Sequence, residues 1–143
     1  MNKIAIVYWS GTGNTEMMAQ AIEEGVKEAG GAAELVQSGE FCVGRLNDYQ
    51  AFAFGCPAMG DEVLEEGEFA PMFESLENDL AGRKLALFGS YGWGDGEWMR
   101  NWVSLCKEKG AVLLQEEGLM ANEEPDDDAK EACKALGREL AVW

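Results

Sequence analysis

Ile4-Ala5-Ile6-Val7-Tyr8-Trp9-Ser10-Gly11-Thr12-Gly13-Asn14-Thr15 decides how the rest of the chain is read. The first six residues are continuously apolar, as expected of a strand covered on both faces of a parallel sheet. The next six carry two glycines, three hydroxyls and one carboxamide, and a helix-periodic segment follows. Glycine admits φ > 0 and lets a backbone approach a ligand closely. A strand, a glycine loop and a helix start together build an anion site, because unpaired N–H groups and the helix dipole converge there. The loop holds no Lys or Arg, so a phosphate bound here keeps its charge and is held by dipoles alone. That suits a phosphate used as a handle and not one to be transferred. A Gly/Ser/Asn turn that merely links strand to helix has the same composition, and the loop alone does not separate the two readings.

Downstream, strands and helices alternate. The spacing of Met18, Ile22 and Val26 predicts a helix over residues 14–29, stopped by Gly30-Gly31. Short strands are expected at Ala33–Val36, Ala51–Gly55, Leu85–Gly89 and Ala111–Gln115, the last bent or resumed near Leu119-Met120. Further helices follow from Phe69, Met72, Phe73, Leu76 and Leu80, from Trp98, Trp102 and Leu105, and from Ala132, Leu136 and Leu140. Asp126-Asp127-Asp128 opens the last one, where negative charge complements the helix dipole. Residues 37–50 are hard to read, with one helical turn expected at Val43–Leu46. The pattern predicts a single α/β domain over residues 1–143, with a doubly wound parallel sheet.

Composition removes several functions. The 143 residues include 27 acidic and 11 basic ones, a formal net charge of −16. That opposes nucleic acid and acidic membrane surfaces and favours a basic protein partner or simple solubility. With no histidine, Ser-His and Cys-His nucleophiles are absent. Four cysteines without a C-x-x-C pair give no zinc or iron–sulfur pattern, so no metal is expected. A P-loop NTPase needs a Lys-Ser/Thr ending that is missing here. A phosphoryl receiver needs acids at the end of the first strand, where Tyr8, Trp9 and Ser10 stand. No apolar run reaches spanning length or resembles a signal peptide, so the chain reads as cytoplasmic.

Three loops follow the first, third and fourth strands and therefore share the carboxyl edge of the sheet, where ligands bind in open α/β folds. The first offers phosphate dipoles. The second, Cys56-Pro57-Ala58-Met59-Gly60-Asp61-Glu62, offers Met59 and two carboxylates. The third, Ser90-Tyr91-Gly92-Trp93-Gly94, offers aromatic rings between glycines. A flat heteroaromatic between Met59 and Trp93, with its phosphate on the first loop, describes a mononucleotide. Ordinary packing of Met59 and a Trp93 that caps the sheet end are the competing structural roles.

Residues 7–16, 55–60 and 87–94 resemble, in order and spacing, the three flavin-contact segments of short-chain flavodoxins of anaerobic bacteria. The resemblance runs nearly end to end and implies a five-stranded sheet in the order 2-1-3-4-5 with bound FMN. It implies phosphate binding by Ser10, Gly11, Thr12, Gly13, Asn14 and Thr15. Met59 and Trp93 would cover the two ring faces. Glu62 would bond the ring N3–H, and amides near Gly92 would reach the ring edge. Ser90 and Ala58 would lie by the ribityl chain, with Pro57, Gly60, Asp61 and Tyr91 completing the site. Pro57 stands where some relatives carry a hydroxyl, and Met59 where longer flavodoxins carry Trp. The Met59-Gly60-Asp61-Glu62 turn is expected to be a four-residue turn with positive φ at Gly60.

The function so implied is electron transport: a low-potential one-electron carrier shuttling FMN between semiquinone and hydroquinone, a monomer and not an enzyme. Its partners would be basic redox proteins such as ferredoxin-dependent oxidoreductases, flavin reductases, hydrogenase or nitrogenase. An FMN-dependent reductase, or a flavodoxin-like activator of one enzyme, is the alternative.

Overall fold

β1 (Lys3–Tyr8) lies second in a parallel sheet that continues through β2 (Ala32–Gln37), β3 (Ala51–Gly55), β4 (Lys84–Tyr91), β5 (Val112–Leu113) and β6 (Leu119–Asn122). The computed structural model describes residues 3–60, 62–92 and 94–143. The strand order is β2-β1-β3-β4-β5, with β6 also paired to β4. The expected order therefore holds, with one strand more than expected. β5 pairs with the start of β4 (Lys84↔Val112) and β6 with its end (Phe88↔Leu119). The two share one edge of β4, and the residues between them bulge away, with Gln115 at φ 59° and Gly118 at φ 75°. That excursion divides the predicted fifth strand.

Alternation along the strands separates two cores. Ile4, Ile6, Ala51, Ala53 and Phe88 face α1 (Asn14–Glu28) and α4 (Asp127–Val142). Ala5, Val7, Phe52 and Phe54 face α2 (Phe69–Leu76) and α3 (Glu97–Glu108). The second core is aromatic, with Phe54 against Phe73 at 5.3 Å and Phe69 against Trp102 at 5.4 Å between ring centroids. In the first core, small side chains let backbones approach. A Cβ on Gly137 would collide with the Ile22 carbonyl, and one on Gly25 with the Lys134 carbonyl. Glycine at this crossing is a packing requirement of α1 on α4.

The helix stripes lie where the spacing places them, except that Leu105 and Ala132 are only half-buried and Cys106 and Cys133 take the inner positions. Asp126 caps α4, its Oδ1 accepting from the Ala129 N–H at 2.8 Å. The segment that was hard to read forms two short 3₁₀ turns, Ser38–Glu40 and Val43–Asp48. β4 runs two residues past the predicted end, so Ser90 and Tyr91 are strand residues and not loop residues. Pairing with β6 (Ser90↔Ala121, Tyr91↔Asn122) supplies the bonds that extend it. The Gly60 turn is also longer than expected. Met59 and Val63 exchange two backbone hydrogen bonds of 2.9 and 3.0 Å, so Val63 closes the hairpin and Glu62 lies inside it. Gly60 has the expected positive φ, 51°, and Glu62 follows at φ 57°.

Candidate cofactor site

The carboxyl ends of β1, β3, β4 and β6 surround a cleft of about 550 Å³. Its anion end is the loop into α1. Gly13 adopts φ 95° and precedes the helix without a side-chain cap of its own. Ser10 does the capping from outside: its Oγ accepts from the amides of Gly13 at 3.1 Å and Glu16 at 3.2 Å. With both acceptances used, the Ser10 hydrogen is left to donate. The amides of Gly11, Thr12, Asn14 and Thr15 have no hydrogen-bond partner among the described residues. Unmet N–H groups at a helix start, with a hydroxyl donor beside them, form a seat for an anion. No Lys or Arg lines the cleft among the described residues; its charged groups are Glu123 and Glu124.

Thr15 is buried and linked to the opposite wall. Its Oγ1 lies 3.0 Å from Ser90 Oγ and receives the Ser90 N–H at 3.4 Å. Donation of both bonds by Ser90 leaves the Thr15 hydrogen free to donate in its turn. The second wall is Pro57, Ala58 and Met59. It is held to β4 by the Ala58 N–H donating to Ser90 O at 3.0 Å, and Met59 is fixed by its bridge to Val63. Tyr91 leans on Trp98 (5.7 Å between centroids) and with Gly92 completes this side.

Of the predicted residues, Ser10, Gly11, Thr12, Asn14, Thr15, Pro57, Ala58, Met59, Ser90, Tyr91 and Gly92 line this cleft together. Gly13 shapes the helix start without lining it, and Gly60 sits at the hairpin tip. Glu62 is turned to α3: its Oε1 accepts from the amides of Gly96 and Glu97, each at 3.2 Å. The predicted contacts at Asp61 and Trp93 lie outside the described residues.

Sequence reading missed three lining residues, Trp9, Glu123 and Glu124. Trp9 ends the apolar run and by its pattern reads as strand. Its ring lies against the loop, 3.0 Å from where a Cβ on Gly11 would stand. Glu123 reaches the cleft because its N–H donates to Tyr91 O at 2.7 Å from a backbone at φ 55°. Nothing local in an acidic stretch announces that long-range bond.

Burial pushes the Cys56, Cys106 and Cys133 thiols up to about 12, so they stay protonated and inert. Among the described residues no cluster of carboxylates and cysteines could hold a metal ion, and no helix is long and apolar enough to cross a membrane.

A dipole-lined anion seat at one end, an apolar and aromatic wall at the other, and a doubly wound sheet with order 2-1-3-4-5 define a mononucleotide-binding α/β protein. The flavodoxin family model matches residues 6–137. The chain is 44% identical over 136 residues to the flavodoxin of Clostridium beijerinckii, covering 95% of this chain and 97% of that one. It is 44% identical over 138 residues to that of Megasphaera elsdenii, covering 96% and 98%. The solution structure of two-electron reduced Megasphaera elsdenii flavodoxin superposes with a TM-score of 0.87 over 98% of this chain and 99% of that one. This chain belongs to the flavodoxin family, a family of electron-transfer proteins that carry a flavin.

Proposed function

We propose that the cleft binds FMN and that the protein is a low-potential one-electron carrier, working between the half-reduced and fully reduced flavin. The carrying observation is the set of unpaired amides of Gly11, Thr12, Asn14 and Thr15 beside the free Ser10 hydrogen, with no basic side chain lining the cleft among the described residues. Such a seat fits a terminal phosphate that anchors and never reacts. The flavin supplies the redox chemistry, and the protein's share is holding, orienting and charging its surroundings.

In this reading Ser10 to Thr15 hold the phosphate, and Ala58 and Ser90 flank the ribityl chain. Met59 and Trp93 cover the ring faces. Glu62 uses one carboxylate oxygen to fix α3 and offers the other to the ring N3–H. Asp61, Glu123 and Glu124 add negative charge near the ring. Repulsion of an anionic reduced flavin lowers its potential, about 59 mV for each ~1.4 kcal/mol. Partners are basic redox proteins, attracted by the net charge of −16.

The test compares FMN with riboflavin by fluorescence titration of the flavin-free protein. FMN should bind one to one and far more tightly, since riboflavin leaves the anion seat empty. Equal affinities overturn the phosphate assignment.

A further inference from the structure

A second depression, about 310 Å³, opens beside the cofactor cleft and shares Trp9 and Ser10 with it. Ser38, from the turn after β2, forms part of its wall and is 1% exposed, yet its Oγ has no hydrogen-bond partner among the described residues. Two carboxylates border this wall from different elements. Glu16 stands in the first turn of α1, and its Oε2 accepts from the Tyr8 hydroxyl at 3.1 Å. Glu68 precedes α2, and its Oε2 crosses the Ser38-Gly39 turn, 2.9 Å from where a Cβ on Gly39 would stand. Among the described residues neither forms an ion pair, and no Lys or Arg lines the depression.

Two carboxylates that between them receive only the Tyr8 hydroxyl from the side chains around them call for a cation that brings several N–H groups. A metal fits poorly, since among the described residues no suitable cluster of ligands exists. A guanidinium fits well: its planar fork reaches carboxylates on two walls, and its face can lie on an indole. We propose that this depression seats one arginine side chain of a basic protein partner, between Glu16 and Glu68 over Ser38, with Trp9 alongside. The choice of a protein as its source rests on the electron-carrier reading. A partner that covers the mouth of the cofactor cleft also covers this depression, and the net charge draws basic surfaces to it.

The experiment is an amide and indole NMR titration of the protein as purified, at constant ionic strength, with three probes: N-acetyl-arginine methylamide, the lysine analogue, and the neutral isostere N-acetyl-citrulline methylamide. The arginine probe should give saturable shifts at Glu16, Ser38, Gly39 and the Trp9 indole, with a dissociation constant in the millimolar range. Lysine should bind more weakly and citrulline not at all. Glu68→Gln should weaken the arginine probe several-fold while leaving FMN affinity unchanged, and Glu16→Gln with Glu68→Gln should abolish saturation. Equal shifts from citrulline and arginine, or no loss in Glu68→Gln, overturn the site. Micromolar binding of the free arginine probe overturns the protein source in favour of a small guanidinium ligand. The titration reads shifts and not electron flow, so its failure leaves the carrier reading intact, and failure of FMN to bind leaves the arginine seat to be judged by its own titration.

Discussion

Thr15 Oγ1 and Ser90 Oγ stand 3.0 Å apart, both side chains buried, one in the first turn of α1 and the other near the end of β4. The bond ties the anion loop to the opposite wall of the cleft, so the spacing of the two ends is set before any ligand arrives. Thr15→Val leaves the Ser90 hydroxyl unmet in a buried site, and Ser90→Ala leaves the Thr15 hydroxyl with only the long backbone N–H bond of 3.4 Å. Each should cost about 1–3 kcal/mol of stability and weaken FMN. The double variant should cost less than the sum, because neither group is then stranded. Urea unfolding of all four proteins reads the coupling; strict additivity would show that the bond holds nothing together.

Gly137→Ala should destabilise the protein by about 1–3 kcal/mol, because its methyl group meets the Ile22 carbonyl and α4 must move off α1. Thermal unfolding checks this. An unchanged midpoint would mean the helices are not in the close contact described.

Acid should weaken the protein through two carboxylates. Burial pulls Glu65 upward, but the amides of Phe69, Glu68 and Gly67, at 2.8, 2.7 and 2.6 Å, outweigh it and hold it below its ordinary 4.5. Glu34 is lowered chiefly by the Tyr49 hydroxyl at 2.7 Å, with Arg45 adding to it. A carboxylate with a lowered folded pKa binds fewer protons folded than unfolded. Its contribution is complete above the unfolded value and is lost as pH falls through the folded one. Glu65→Ala should cost about 0.5–2 kcal/mol at neutral pH, the range for losing a helix cap. That difference from the parent should shrink below pH 4.5. Chemical unfolding of both proteins across this range gives the difference directly and cancels the general relief of charge repulsion. A constant difference would remove the linkage.

Electron transfer to a basic redox protein should slow as salt shortens the Debye length to about 10 Å and below. Stopped-flow rates measured against ionic strength read it. A flat or rising dependence would make the acidic surface a matter of solubility alone.

The strand runs and helix stripes were legible because apolar periodicity reports local geometry and burial together. Gly13 at φ 95° and Gly60 at φ 51° occupy positions where residue type alone pointed to a left-handed backbone. The division into β5 and β6 was only half legible: a bend near Leu119-Met120 was expected, but its depth is set by non-local pairing to β4. The same limit hid the strand character of Ser90 and Tyr91, which rests on partners some thirty residues away. Glu62 shows it again: its bonds to the α3 amides connect residues far apart in sequence. The site was read through residues whose chemistry is local, and Trp9, Glu123 and Glu124 were missed because their places depend on tertiary hydrogen bonds and on where β1 stops.

Anaerobic reductive titration of the FMN-loaded protein, followed by visible absorbance, tests the carrier reading most directly. Two separated one-electron steps through a stable, blue, neutral half-reduced flavin are expected, with no reduction by NADH or NADPH alone. A single two-electron step driven by a nicotinamide would contradict it and make the protein a reductase.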